Sequence, residues 1–293
     1  MIPTYFTYEA VDFEPILDEQ GKPMMSHYGL PKAKVKRFQV HPVPLFLEGP
    51  AKLLGVLNSK EEASTVFTKV KNSQLYDKKL KMYKTSVPIE KISMEHGRIR
   101  AFTPGWLERE SIFLHMEYKF LLSLIKAGLY DNFYEELKTT LIPFLPPNQY
   151  GRSILENSSF LASSENPDPS VHGRGFVARL SGSTTEMLSM WILMFIGEKI
   201  FTFDHNQLKL HFEPKLPSWL FDVNGEVSFR LFSSCTVTYK NAKRCSTYGE
   251  HGVKVVRIQI QDTAETIEGN VLSGHIANQV REGKIKQIIA FLD

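Results

Sequence analysis

LSGSTTEMLSMWILMFIGEKIFTF, residues 180–203, carries a helix signal and a strand signal on either side of Gly197. Ser183 and Glu186 have the S/T-x-x-E spacing of a capping box, in which the serine hydroxyl accepts from a first-turn N–H and the glutamate reaches back. Helix growth is therefore expected from about Ser183. Gly182 has no Cβ, so backbone there can approach a ligand closely, and the first-turn N–H groups carry the positive end of the helix dipole. On this signal the segment reads first as a plain helix start and only second as an anion-holding helix mouth. From Met187 to Ile196 every position but Ser189 is apolar, which predicts a helix buried on most sides. After Gly197 the period changes to two: Leu208, Leu210 and Phe212, then Val227, Phe229 and Leu231, then Val237 and Tyr239, with later runs at Val253–Ile260 and Ile285–Leu292. Successive short strands of this kind predict a small β-sandwich.

Upstream of this segment the signals are helical. Residues 106–127 crowd Ile112, Phe113, Met116, Phe120, Leu121, Leu124 and Ile125 at helical spacing, and Gly128 is placed to end that helix. Tyr130–Leu141 repeats the pattern up to Pro143, so the two make an antiparallel pair. Residues 44–70 predict two short helices, the second opening at Ser59 with Glu61 and Glu62 in its first turn. The first forty-odd residues are apolar at Phe6, Phe13, Ile16, Leu17, Met24, Met25 and Leu30 without sustained periodicity, and read as interior loop.

At 293 residues the chain exceeds the usual single core, and a formal charge of +3 is too small to argue for nucleic acid. The lysines at 69, 71, 78, 79, 81 and 84 read as a solvated helical face. Cys235 and Cys245 make neither a disulfide framework nor a zinc pattern, and no segment reads as a secretory signal or a membrane span. A soluble, cytoplasmic protein is the expectation. Walker, dinucleotide and nucleophile-elbow motifs are absent from the sequence, and His205 and His211 show no metal spacing; no metal and no cofactor are expected.

Several residues could carry chemistry. His115 reads as a hydrogen-bonded core histidine or as a ligand to an anion. His172 and Arg174 lie in the loop Val171-His172-Gly173-Arg174-Gly175, either a surface loop or one that meets an anionic or sugar ligand, and Arg152 and Arg179 flank it. Trp106 and Trp191 are read as core. Glu108, Glu110, Glu156, Glu165 and Asp168 are the carboxylates near polar segments, and none has a sequence partner that marks it as a general acid.

Two segments, best seen within Gly97–Gly197, resemble the carboxy-terminal part of a family-94 glycoside phosphorylase, the cellobiose and 1,2-β-oligoglucan phosphorylase group. Glu108-Arg109-Glu110-Ser111-Ile112-Phe113-Leu114-His115 is similar to the family's Glu-Asn-Gly-Gly-Ile-Phe helix ending in a phosphate-binding histidine, without its glycine pair. Leu180-Ser181-Gly182-Ser183 resembles the family's phosphate-holding Leu-Thr-Gly-Thr.

The resemblance implies an α+β, multi-domain fold: residues 1–197 as the later half of an (α/α)6 barrel carrying the phosphate site, and residues 198–293 as a small antiparallel β-sandwich. It implies phosphate binding by His115, Ser181 and Gly182, with Ser158 or Ser159 where the family has a glutamine. The implied reaction is inverting phosphorolysis of a β-glucoside to α-glucose 1-phosphate, with inorganic phosphate as co-substrate and a β-glucan oligosaccharide as partner. The general-acid aspartate is expected upstream of this chain, which then resembles a fragment, inactive alone. Alternative expectations are a non-catalytic subunit completing a barrel from an upstream chain, a homodimer, and an (α/α)-barrel hydrolase with Glu156 as acid.

Overall fold

The computed structural model describes residues 3–177 and 182–293. It is a mixed α+β structure with, among the described residues, seven helices and several small sheets. The chain opens not as interior loop but as an antiparallel ribbon of β1 (Phe6–Pro15) and β2 (Ala33–Pro42). Register shifts between Ala10 and Phe13 switch which positions share a face. They break the period-two pattern, which is why no strand was legible in the sequence.

The helical part follows. α1 (Glu48–Leu54) precedes α2 (Lys60–Lys71), whose cap Ser59 accepts from the Glu62 N–H as its sequence predicts. β3 (Tyr76–Asp77) and β4 (Met82–Tyr83) form a tight hairpin. The lysines expected on one helical face are therefore divided. Lys69 and Lys71 are on α2, whereas Lys84 lies beyond β4, buried, with its ammonium 2.5 Å from Glu165.

The helix expected over 106–127 begins only at Leu114. Leu107 and Glu110 both adopt left-handed φ values, 51° and 58°, which an α-helix excludes. Ile112–Phe113 is a strand, β5, pairing with β6 (Phe160–Leu161), which in turn pairs with β7 (Gly175–Phe176). Ser111 and His115 are thus not one helical turn apart. α3 (Leu114–Lys126) and α4 (Tyr130–Thr140) form the expected pair. At the junction Gly128 N–H donates to the Ile125 carbonyl at 3.1 Å and Leu129 N–H to that of Leu124 at 3.0 Å, the double bond of a Schellman turn, with Gly128 at φ 73°. The short α5 (Pro147–Tyr150) leads to β6.

α6 (Gly182–Phe195) begins one residue before Ser183, which is buried inside its first turn. The helix is not buried on most sides. Met190, Met194 and Phe195 face the core, while Leu188, Trp191 and Ile192 are exposed, Trp191 by 44%. An all-apolar run has no periodicity from which to tell a buried face from an open one. Among the described residues the helices do not close a barrel.

After Gly197 come β8 (Phe201–Asp204), β9 (Gln207–His211), β10 (Glu226–Leu231), β11 (Cys235–Asn241), β12 (Val255–Ile260), β13 (Thr266–Glu268), β14 (Val271–Ser273), α7 (Gly274–Arg281) and β15 (Gln287–Leu292). They build a five-stranded sheet in the order β10-β11-β15-β12-β13 and a three-stranded antiparallel sheet, β14-β9-β8. The larger sheet is mixed, because β15 runs parallel to β11, with Val237 opposite Ile288. The connection includes α7, a short helix whose buried positions are Ala277 and Val280, too brief a pattern to read from sequence.

Helical and sheet parts share a continuous apolar core from Leu47 to Leu292. The buried Tyr239 hydroxyl on β11 donates to the Phe195 carbonyl at the end of α6 at 2.6 Å. Tyr134 of α4 stacks on Tyr248 with ring centroids 5.9 Å apart. No helix among the described residues is long and apolar enough to cross a membrane.

Candidate functional site

β5, β6 and β7 are only two residues long, yet they position the site. The ladder continues beyond the strands: Leu114 N–H donates to the Ser159 carbonyl at 3.1 Å, and Ser159 N–H to that of Val177 at 2.8 Å. This places the start of α3 beside Ser159, which is nearly buried. Ser158 is fully buried, and its hydroxyl lies 2.8 Å from that of Tyr150. Its backbone N–H donates to Tyr150 as well, at 2.9 Å.

His115, in the first turn of α3, lies against Gly182, in the first turn of α6. A Cβ on Gly182 would come within 3.0 Å of the imidazole Nε2, Cε1 and Cδ2, a separation real Cβ atoms do not show. The φ of Gly182 is not in the left-handed region, so room for the ring, not backbone conformation, is what glycine supplies here. The Glu186 carboxylate, one turn along α6, stands 3.4 Å from His115 Nε2, an ion pair when the ring is protonated. The sequence reading assigned Glu186 to a capping box. Its carboxylate meets a side chain from a distant segment, and nothing local to residues 180–186 signals that. The Phe113 ring meets His115 edge-on at 5.8 Å.

Two cavities flank this part of α3. One, of about 430 Å³, lies between the base of β1 and α3, with Phe113, Met116, Glu48 and Glu108 in its wall. The other, of about 300 Å³, takes in Glu186, Met116, Lys119 and Lys126. Glu108 is bound to Arg98 at 3.1 Å through one oxygen, and its other oxygen is buried with no hydrogen-bond partner. Glu110 is buried behind this wall, and desolvation, followed by the charges of Glu90 and Glu165, pushes its carboxyl above the usual range.

The loop residues are elsewhere. His172 and Arg174 precede β7 at the Ile112-Leu161-Gly175 end of the small sheet, opposite the end that leads to His115. His172 Nε2 lies 2.8 Å from the Asn166 carbonyl and Nδ1 lies 2.6 Å from Lys79 Nζ. An ammonium only donates, so Nδ1 accepts and Nε2 carries the proton. Arg174 Nε donates to the Ser170 carbonyl at 2.9 Å. The structure therefore brings His115, Gly182 and Ser159 into one neighbourhood and leaves His172 and Arg174 outside it. Ser181 and Arg179 lie outside the described residues.

The remaining carboxylates are engaged. Glu156 pairs with Arg152 at 2.7 Å on the surface, and Glu165 with Lys84. Asp168 caps a turn, its carboxyl held low by hydrogen bonding to Ser170. Trp106 stacks on Phe176 at 3.6 Å, with planes 3° apart. No group of His, Cys, Asp and Glu among the described residues is arranged to hold a metal ion.

No protein-family model matches the chain, and no curated protein matches it.

Proposed function

We propose that this chain serves the inverting phosphorolysis of a β-glucoside, a 1,2-β-oligoglucan or a cellobiose-like sugar, as the phosphate-binding part of a glycoside phosphorylase of the family-94 type. The observation that carries the reading is the contact of the His115 ring with Gly182. Two segments distant in sequence, each resembling a phosphate-binding segment of that family, meet at the first turns of two helices. Glu110 adds support: it lies in the stretch that replaces the family's glycine pair, and it keeps a left-handed φ that glycine would adopt without strain. In this reading α1–α6 are later helices of an (α/α)6 barrel and the sheets after Gly197 a closing β-sandwich.

The chemistry assigned to the site is positioning. A phosphate oxygen attacks the anomeric carbon as the glycosidic C–O bond breaks on the opposite face. The leaving oxygen takes a proton from an acid that the resemblance places outside this chain. Phosphate is already an anionic nucleophile and needs no general base. Protonated His115 and the first-turn N–H groups of α6 hold its oxygens, with Glu186 orienting the ring before the anion arrives.

The test is a titration of the chain with inorganic phosphate, followed through the His115 imidazole NMR signals. A saturable shift that disappears in His115→Ala is expected. Phosphate that leaves those signals unmoved, or binds His115→Ala as well as the parent chain, refutes the reading. One observation favours a second reading, a non-catalytic subunit completing a barrel from an upstream chain: the exposed ridge Leu188, Trp191 and Ile192 on α6. Glucan phosphorolysis that appears only on mixing the two polypeptides, and persists in His115→Ala, would select it.

A further inference from the structure

The Glu186 carboxylate that orients His115 is also an obstacle at that ring. It stands 3.4 Å from Nε2, and its side chain is only 14% exposed, so salt and water screen it poorly. An anion brought to the same nitrogen meets a second negative charge at close range, and the nitrogen has one proton to offer the two of them. Phosphate binds tightly there only if the charge of Glu186 is taken up elsewhere.

The cavity of about 300 Å³ beside α3 has the means to do that. Glu186 is in its wall, and so are Lys52, Lys119 and Lys126. Lys52 is held by Glu48 at 2.7 Å, and the other oxygen of that acid accepts from the Tyr5 hydroxyl. Lys126, in the last turn of α3, also borders a cavity that carries Glu198 and Glu213. Lys119 is different: it is half-buried and makes no ion pair among the described residues. Its field reaches Glu48, an acid that Lys52 and Tyr5 already bind. Lys119 follows His115 by four residues on α3, so the two share a helix face. A helical side chain leans over the turn that precedes its own Cα, which carries the Lys119 ammonium toward the turn of His115.

We propose that Lys119 is a positioning residue of the phosphate site: as phosphate reaches His115, the Glu186 carboxylate leaves the imidazole and pairs with the Lys119 ammonium across this cavity. Glu186 thus holds the ring while the site is empty and is neutralised when the site is filled. The inference rests on the phosphate reading.

Inorganic phosphate titrated against the His115 imidazole NMR signals tests it, in the parent chain, Lys119→Met, Lys119→Arg, Glu186→Gln and the Lys119→Met/Glu186→Gln double variant. Lys119→Met keeps the aliphatic stem and should raise the phosphate dissociation constant on the order of 10-fold. Lys119→Arg should bring it back to within about 3-fold of the parent, which a loss of packing alone would not predict. Lys119→Gln removes the same charge with a polar end and should match Lys119→Met. With Glu186 already Gln, Lys119→Met should cost less than about 3-fold, because no carboxylate is left to neutralise. Equal losses in the two backgrounds overturn the proposal, since Lys119 then acts on phosphate itself. Parent-like affinity in Lys119→Met overturns it as well and leaves the phosphate reading standing. A parent chain whose His115 signals do not respond to phosphate removes that reading and this proposal with it.

Discussion

Gly182→Ala puts the His115–Gly182 contact to a direct test, because two effects of opposite sign meet there. Alanine is favoured over glycine in a helix by up to about 1 kcal/mol, and the φ of Gly182 is no obstacle to it. Against that, the new methyl group would lie 2.1–2.4 Å from three imidazole atoms, and ordinary contact near 3.5 Å requires the ring to move by about 1.4 Å. Overpacking of this kind costs about 1–3 kcal/mol, toward the lower end here because the His115 side chain is 27% exposed and has solvent to move into. The net expectation is a loss of about 1 kcal/mol, with the helix preference offsetting part of the clash. In a His115→Ala background the clash is gone, and the same substitution should stabilise by about 0.5–1 kcal/mol. Urea unfolding of the parent, both single variants and the double variant gives the coupling, expected near 2 kcal/mol, with unchanged m-values showing that only stability moved. If Gly182→Ala has the same sign in both backgrounds and the two substitutions add within about 0.5 kcal/mol, the ring is not over Gly182 and the site as described is wrong.

Two further outcomes follow from the core. Glu117 is fully buried; one oxygen accepts the Tyr83 N–H at 2.8 Å, the other has no hydrogen-bond partner, and burial raises its carboxyl well above the usual range. A carboxyl raised by folding holds its proton in the native state after the unfolded chain has lost it, so it makes stability fall as pH rises from the ordinary carboxylate pKa to the folded one. Glu117→Gln should flatten that slope, by up to about 1.4 kcal/mol per pH unit, and urea midpoints that fall equally in both proteins would contradict this. Tyr239→Phe removes the bond between β11 and the end of α6 and leaves a buried carbonyl without that donor. A loss of about 1–2 kcal/mol is expected, and an unchanged unfolding midpoint would show that the bond contributes nothing net.

The elements legible from residue order alone are those that neighbouring residues decide. Ser59 with Glu62 caps α2, Gly128 turns α3 back into α4, and the period-two runs around Leu210, Phe229, Val237, Ile258 and Ile288 are strands. Each of these signals acts within one or two turns or along one strand. The candidate site was legible as two separate pieces, His115 and Gly182, because each carries its own local motif; their meeting was not. Tertiary structure decided the rest through partners distant in sequence. Residues 106–113 leave the helix because Ile112 and Phe113 pair with Leu161 and Phe160. Glu186 meets His115, a residue of another helix. The amino-terminal segment becomes a ribbon only by pairing residues 6–15 with 33–42, and α6 keeps an open face because what packs on a uniformly apolar helix is settled by its neighbours. Local propensity is worth tenths of a kcal/mol per residue, about 0–0.7 for ordinary residues in a helix. A distant strand partner outweighs it, and a single sequence does not record which distant residue that partner will be.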